Sequence, residues 1–127
     1  AIATAIQAAD PTLAVLAISG TALEMAARDL GLTAYSEVYA DRAYLATGQL
    51  VPRSRPGAVL HDVDQAVGRL MAFLRSGRMP VVDGEPIPLA AHSVCVHGDN
   101  AESVRMAREI RSRLQAEGVA VASFLTP

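Results

Sequence analysis

Nearly continuous apolar runs alternate along this chain with stretches whose apolar residues recur at helical spacing. The runs are Leu13 to Ile18, Leu32 to Ala40, Ser93 to Val96 and Val119 to Phe124. Continuous runs of this length suit strands buried on both faces, as in a parallel sheet. The first periodic stretch, Ala1 to Ala9, reads as the end of a buried helix that stops at Asp10-Pro11, because proline disfavours helix at the residue before it. The second begins at Thr21, carries Leu23, Ala26, Ala27 and Leu30 on one face, and stops at Gly31. The third begins at Asp62, carries Val63, Ala66, Val67, Leu70, Met71 and Leu74, and stops at Gly77. The fourth begins at Asp99, buries Val104, Ala107, Ile110 and Leu114, and stops at Gly118. Thr21 and Glu24, Asp62 and Gln65, and Asp99 and Glu102 all have the spacing of a capping box. Met79 to Leu89, broken by Pro80, Gly84, Pro86 and Pro88, reads as a short strand and turn. Alternating helices and apolar strands define an α/β chain of parallel β/α units with right-handed crossovers. They fit either a small open sheet or part of a closed barrel.

Composition narrows the class. The chain has 127 residues, enough for one domain, and is 51% apolar but only 4% aromatic. Its core is therefore built from Val, Ile, Leu and Ala. A net charge of −2 with interspersed signs gives no footprint for nucleic acid or an anionic membrane. No apolar run is long enough to span a bilayer. The single Cys95 cannot form an internal disulfide, which suits a reducing, cytoplasmic setting. Set between Val94 and Val96, it reads as a small buried hydrophobe.

Candidate chemistry gathers at two strand ends. The segment Glu37-Val-Tyr-Ala-Asp-Arg-Ala-Tyr44 places two acids, an arginine and two tyrosines where an apolar run ends. Strand ends before long loops are where α/β proteins tend to hold ligands. Glu37 and Asp41 are candidate acid–base groups. Arg42 offers a planar fork for a carboxylate or phosphate, with Tyr44 beside it and Arg53 on the following loop. A structural salt bridge is the plain alternative. The second strand end, His97-Gly98-Asp99, offers a proton carrier and a base, or a buried histidine and a helix cap. A single His-x-Asp does not define a metal site, and whether a metal is used stays open. Ser19-Gly20-Thr21 joins a strand to a helix start, where amides can hold an anion. No Walker motif follows it.

Four motifs carry a resemblance. Glu37-Val-Tyr-Ala-Asp-Arg-Ala-Tyr44, Leu50-Val-Pro-Arg53, Pro56-Gly-Ala-Val-Leu-His-Asp62 and Ser93-Val-Cys-Val-His-Gly-Asp99 occur in this order. Together they resemble the lactam-utilisation (LamB/YcsF) family, described as the A subunit of a prokaryotic 5-oxoprolinase. The resemblance covers nearly the whole chain. Tyr39 stands where phenylalanine is expected, and Thr47 where the loop often has aspartate. The family implies an irregular, TIM-like β/α barrel akin to glycoside hydrolase and deacetylase barrels, with its site at the C-terminal strand ends. Residues 1–127 match the C-terminal half of that barrel, so the N-terminal half is an expected partner and this chain alone is expected to be inactive. The implied activity is ATP-dependent hydrolysis of 5-oxoproline to glutamate with subunits B and C. Which subunit binds ATP stays open. Arg42 is the expected cation for the substrate, with Tyr44 and Arg53 near it. Asp99 or Glu37 is the expected base, and His97 the proton carrier. Two readings compete: a metal-dependent amide hydrolase of deacetylase type, and a non-catalytic scaffold. An isolated half barrel would expose sheet edges, so it is expected to self-associate, recruit its other half or aggregate.

Overall fold

The computed structural model describes residues 1–125. Its helices are α1 (Ile2–Ala9), α2 (Ala22–Asp29), α3 (Val63–Ser76) and α4 (Ala101–Ala116). Its strands are β1 (Val15–Ile18), β2 (Ala34–Tyr39), β3 (Arg78–Met79), β4 (Ile87–Pro88) and β5 (Ser93–Cys95). Strands β1, β2 and β5 form a parallel sheet with β2 in the centre. Strands β3 and β4 make a small antiparallel hairpin where the Pro- and Gly-punctuated segment implied a short strand and turn. The expected α/β class with parallel strands holds.

Alternation along β2 divides the sheet into two faces. Ala34, Ser36 and Val38 are buried, as are Val15 and Ala17 in register beside them on β1. Helices α1 and α2 cover the β1 end of this face through Ala3 and Ala27, joined by Leu32 just after α2. Helices α3 and α4 cover the other end through Leu70, Phe73, Met106 and Ile110, which cluster with Val38. The opposite face carries Leu16, Tyr35, Glu37, Tyr39, Ser93 and Cys95, and Leu16 is 47% exposed.

The helix stops behave as expected. The chain leaves α2 through Gly31 at φ +75°. There the Leu32 N–H bonds Ala27 O at 3.0 Å and the Gly31 N–H bonds Arg28 O at 2.9 Å, the paired bonds of a Schellman ending. Two starts depart from expectation. At α4 the cap is Asn100, whose side chain accepts from the Ser103 N–H at 2.8 Å, and not Asp99. At α2 the Thr21 hydroxyl donates to Ile18 O, and Glu24 accepts from the Gly20 N–H at 2.7 Å. Helix α1 buries only Ala3 and leaves Ile2 65% exposed, since one face alone meets α2.

The expected strand over Val119 to Phe124 is not formed through residue 125. A strand needs a ladder partner, and this segment makes no ladder with the free edge of β5. It packs by side chains instead, with the Phe124 ring 4.9 Å from that of Tyr35.

A buried polar knot ties α2 to β2. Glu24, whose side chain is 9% exposed, accepts hydrogen bonds from the Ser36 hydroxyl, from Arg28 at 2.9 Å and from Gly20. Burial opposes its charge, yet the bonds from Ser36, Arg28 and Gly20 outweigh it and hold the carboxyl below its usual 4.5. The folded protein therefore binds fewer protons than the unfolded chain in that range. The contribution is complete above pH 4.5 and is lost as pH falls through the lowered folded value. Glu24→Gln should cost about 2 kcal/mol at neutral pH, and the gap from wild type should close on acidification. Urea unfolding across pH measures both.

Candidate active site

The chain beyond β2 folds back on itself. Segment 41–44 pairs with the returning loop through the bridges Arg42–Val59 and Tyr44–Leu50. Ala43 N–H bonds Ala58 O at 3.0 Å, and Leu60 N–H bonds Asp41 O at 2.8 Å. This backbone pairing, which no side-chain periodicity announces, places Arg53 over the end of β5.

Asp41 and His97 meet there. His97 Nδ1 lies 2.5 Å from Asp41 Oδ2, and Arg53 lies 3.1 Å from His97 Nε2. The guanidinium has only donors, so Nε2 is the acceptor and Nδ1–H donates to Asp41. Asp41 is 4% exposed, and its second oxygen, Oδ1, is buried without a hydrogen-bond partner among the described residues. The three side chains line a cavity of about 190 Å³ that also touches His61, Asp99, Glu102 and Met106. Pockets for drug-sized ligands begin at roughly 300 Å³, so the described walls suit a small molecule.

The other candidates divide. Asp99 lies on the cavity wall but is exposed, with Asn100 and Ser103 each 3.3 Å away. Glu37 points elsewhere, to the open sheet face, where it accepts from the Ser93 hydroxyl at 2.9 Å. Tyr39 lies between the two groups, its ring 5.9 Å from that of His97. Burial pushes the Tyr39 hydroxyl upward, as do Cys95 and Glu37 beside it. Burial likewise raises the Cys95 thiol, reinforced by Glu37 and Asp41, which keeps it a protonated, inert group.

Two expected substrate contacts are corrected. Arg42 is 7% exposed and donates to Val51 O at 2.7 Å and Ala58 O at 3.1 Å. Its fork faces backbone carbonyls because the loop wraps around it. Tyr44 is fully buried in the core, and its hydroxyl accepts from the Tyr39 N–H at 2.9 Å. Both residues hold the site together without lining its cavity.

Residue-type reasoning passed over His61 and Ser93. His61 lies on the cavity wall, 3.7 Å from Glu102. Its signal was its place in the Pro56–Asp62 motif. Ser93 sits opposite Glu37 in the strand register, a pairing visible only once the sheet is assembled. The Ser19-Gly20-Thr21 turn is closed to anions, since the Gly20 amide is held by the Glu24 carboxylate. Among the described residues, no three His, Cys, Asp or Glu side chains converge as a metal site. No helix among them is long and apolar enough to cross a membrane.

A parallel α/β chain with a carboxylate–imidazole pair at its strand ends is a strand-end site of the kind that β/α barrels carry. Related proteins give it a family. The LamB/YcsF family model matches residues 1–127, and the chain belongs to that family. It is 46% identical over 121 residues to the A subunit of 5-oxoprolinase from Gluconobacter oxydans, covering 95% of this chain and 48% of that protein. It is 47% identical over 124 residues to that of Mycolicibacterium gilvum, covering 98% and 49%. The crystal structure of the lactam utilization protein from Thermus thermophilus superposes with a TM-score of 0.83 at 36% identity. That match covers 94% of this chain and 47% of that one. The chain thus spans about half the length of the curated relatives it matches.

Burial pushes the Tyr44 hydroxyl from 10 up to about 12. Ionising it is harder in the folded protein, so stability should fall as pH rises from 10 towards 12. Tyr44→Phe should remove that alkaline component, on the order of 2–3 kcal/mol at about 1.4 kcal/mol per pH unit. At neutral pH it should cost about 1 kcal/mol, because the Tyr39 N–H loses its acceptor. Chemical unfolding of both proteins between neutral and alkaline pH checks this.

Proposed function

We propose that the chain is part of the A subunit of a 5-oxoprolinase, which opens 5-oxoproline to glutamate coupled to ATP hydrolysis. The observation that carries this reading is the pairing of the buried Asp41 with His97 on a small cavity, in a chain of this family. Asp41 holds the imidazole so that Nε2 presents the basic lone pair. His97 takes a proton from water as the water oxygen bonds to the lactam carbonyl carbon. The C–N bond then breaks, and the ring nitrogen receives that proton. The atoms of that water end on the amine and the carboxyl group of glutamate. Arg53, whose guanidinium borders the cavity, takes the substrate carboxylate in place of Arg42.

Opening an unstrained lactam is uphill; transfer of the ATP γ-phosphoryl group to the lactam oxygen, with ADP leaving, would couple the two reactions, and a second water then releases phosphate from the acyl phosphate left by ring opening. The open sheet face with its exposed Leu16 supports a covering segment, and the rest of the length seen in the relatives is the proposed cover. A second reading, a metal-dependent amide hydrolase, is favoured by one observation: a cation would satisfy Asp41 Oδ1, which has no hydrogen-bond partner among the described residues.

The test is glutamate release from 5-oxoproline by the full-length protein with subunits B and C and ATP. His97→Gln should lower kcat by about 100-fold or more, the usual worth of a general acid–base group, and Asp41→Asn should follow it. Hydrolysis that ignores ATP and stops with EDTA would select the second reading. No glutamate from the wild-type assembly would end the first.

A further inference from the structure

We infer that Arg53 is a removable cap on His97, drawn off by the carboxylate of the incoming substrate. The inference rests on the reading of His97 as the proton carrier for 5-oxoproline. A neutral imidazole has one donor and one acceptor nitrogen. Here the donor, Nδ1–H, is held by a carboxylate that is itself 4% exposed. The lone pair left for catalysis is on Nε2, and the Arg53 guanidinium occupies it at 3.1 Å. A nitrogen engaged by the N–H of a cation cannot accept a proton from water. In this arrangement the base is assembled but covered.

The cover is held lightly. Arg53 is exposed, on the irregular segment between Val51 and Ala58. Its bond to His97 is its one hydrogen bond among the described residues. Arg42, eleven positions earlier, shows the contrast: it is buried and bonds two backbone carbonyls. A guanidinium on a neutral imidazole makes a single hydrogen bond. On a carboxylate it makes two parallel bonds between opposite full charges. A carboxylate entering the cavity therefore outcompetes the imidazole for Arg53. The exposed Asp99 and Glu102 repel that carboxylate from the α4 side, which directs it to Arg53. As Arg53 turns to the substrate, Nε2 is freed beside the ring. The site thus selects small lactams that carry a carboxylate, and a ring without one leaves the base capped. Arg53 is in this sense a positioning residue as well as a substrate contact.

The experiment has two arms, both on the full-length protein. In the first, diethyl pyrocarbonate modifies histidines without substrate, and mass spectrometry reads His97 against His61 and His92. Arg53→Ala, and Arg53→Gln as a second variant, should speed modification of His97 by about fivefold to tenfold, the worth of one hydrogen bond. His61 and His92 should not change. In the second arm, the assembly with subunits B and C and ATP is offered 5-oxoproline or 2-pyrrolidinone, the same ring without the carboxylate. Wild type should open only 5-oxoproline. Arg53→Ala should lose most of that activity and gain formation of 4-aminobutyrate from 2-pyrrolidinone. An arginine that only binds the carboxylate would leave both the His97 modification rate and the 2-pyrrolidinone result unchanged, and that outcome overturns the cap while the 5-oxoprolinase reading stands. If wild type makes no glutamate, the functional reading fails, and the modification arm still decides whether Arg53 covers His97.

Discussion

The buried guanidinium of Arg42 is the constraint on which the site depends. It lies at 7% exposure among neutral partners and is held by the carbonyls of Val51 and Ala58. A buried charge is tolerated only when such dipoles surround it. Those two carbonyls belong to the outgoing and returning limbs of one loop, so their shared donor fixes the loop against segment 41–44. Three consequences follow. Leu60 N–H reaches Asp41 O, Tyr44 is driven into the core to accept from the Tyr39 amide, and Arg53 is carried to His97.

Features set by local periodicity were legible in the chain itself. The helices α2, α3 and α4, their glycine stops and the three parallel strands could all be read from apolar spacing. What escaped reading was tertiary. The segment Val119 to Phe124 has the composition of a strand but no ladder along the β5 edge. Asp99 and Asn100 are both good caps, and only the position of the first helical turn decides between them. The two strand ends were singled out by their residue types, but the pairing of Asp41 with His97, 56 positions apart, needed the β2–β5 register. Arg42 and Tyr44 looked like ligand contacts because charge and hydroxyl groups beside a loop usually face solvent. A loop that wraps back turns both inward, and residue type carries no record of that.

The electrostatics of the cavity are consistent with acid–base chemistry on a small substrate. One nitrogen of His97 is fixed by a sequestered carboxylate, and the other faces a lightly held cation. The thiol nearby is held protonated by burial and by Glu37 and Asp41, so it does not compete as a nucleophile. Glu37, bonded to Ser93, belongs to the open face of the sheet and not to this cavity. The curated relatives are about twice as long as this chain.

Everything proposed for this cavity turns on the tautomer of His97. Long-range proton–nitrogen correlation NMR on the full-length protein, with histidine labelled at its ring nitrogens, assigns the proton to one nitrogen. The expected spectrum is that of a neutral ring with the proton on Nδ1, bonded to Asp41, and an unprotonated Nε2. A neutral ring with its single proton on Nε2 in the free protein would rule out both the Asp41–His97 hydrogen bond and the Arg53 cap.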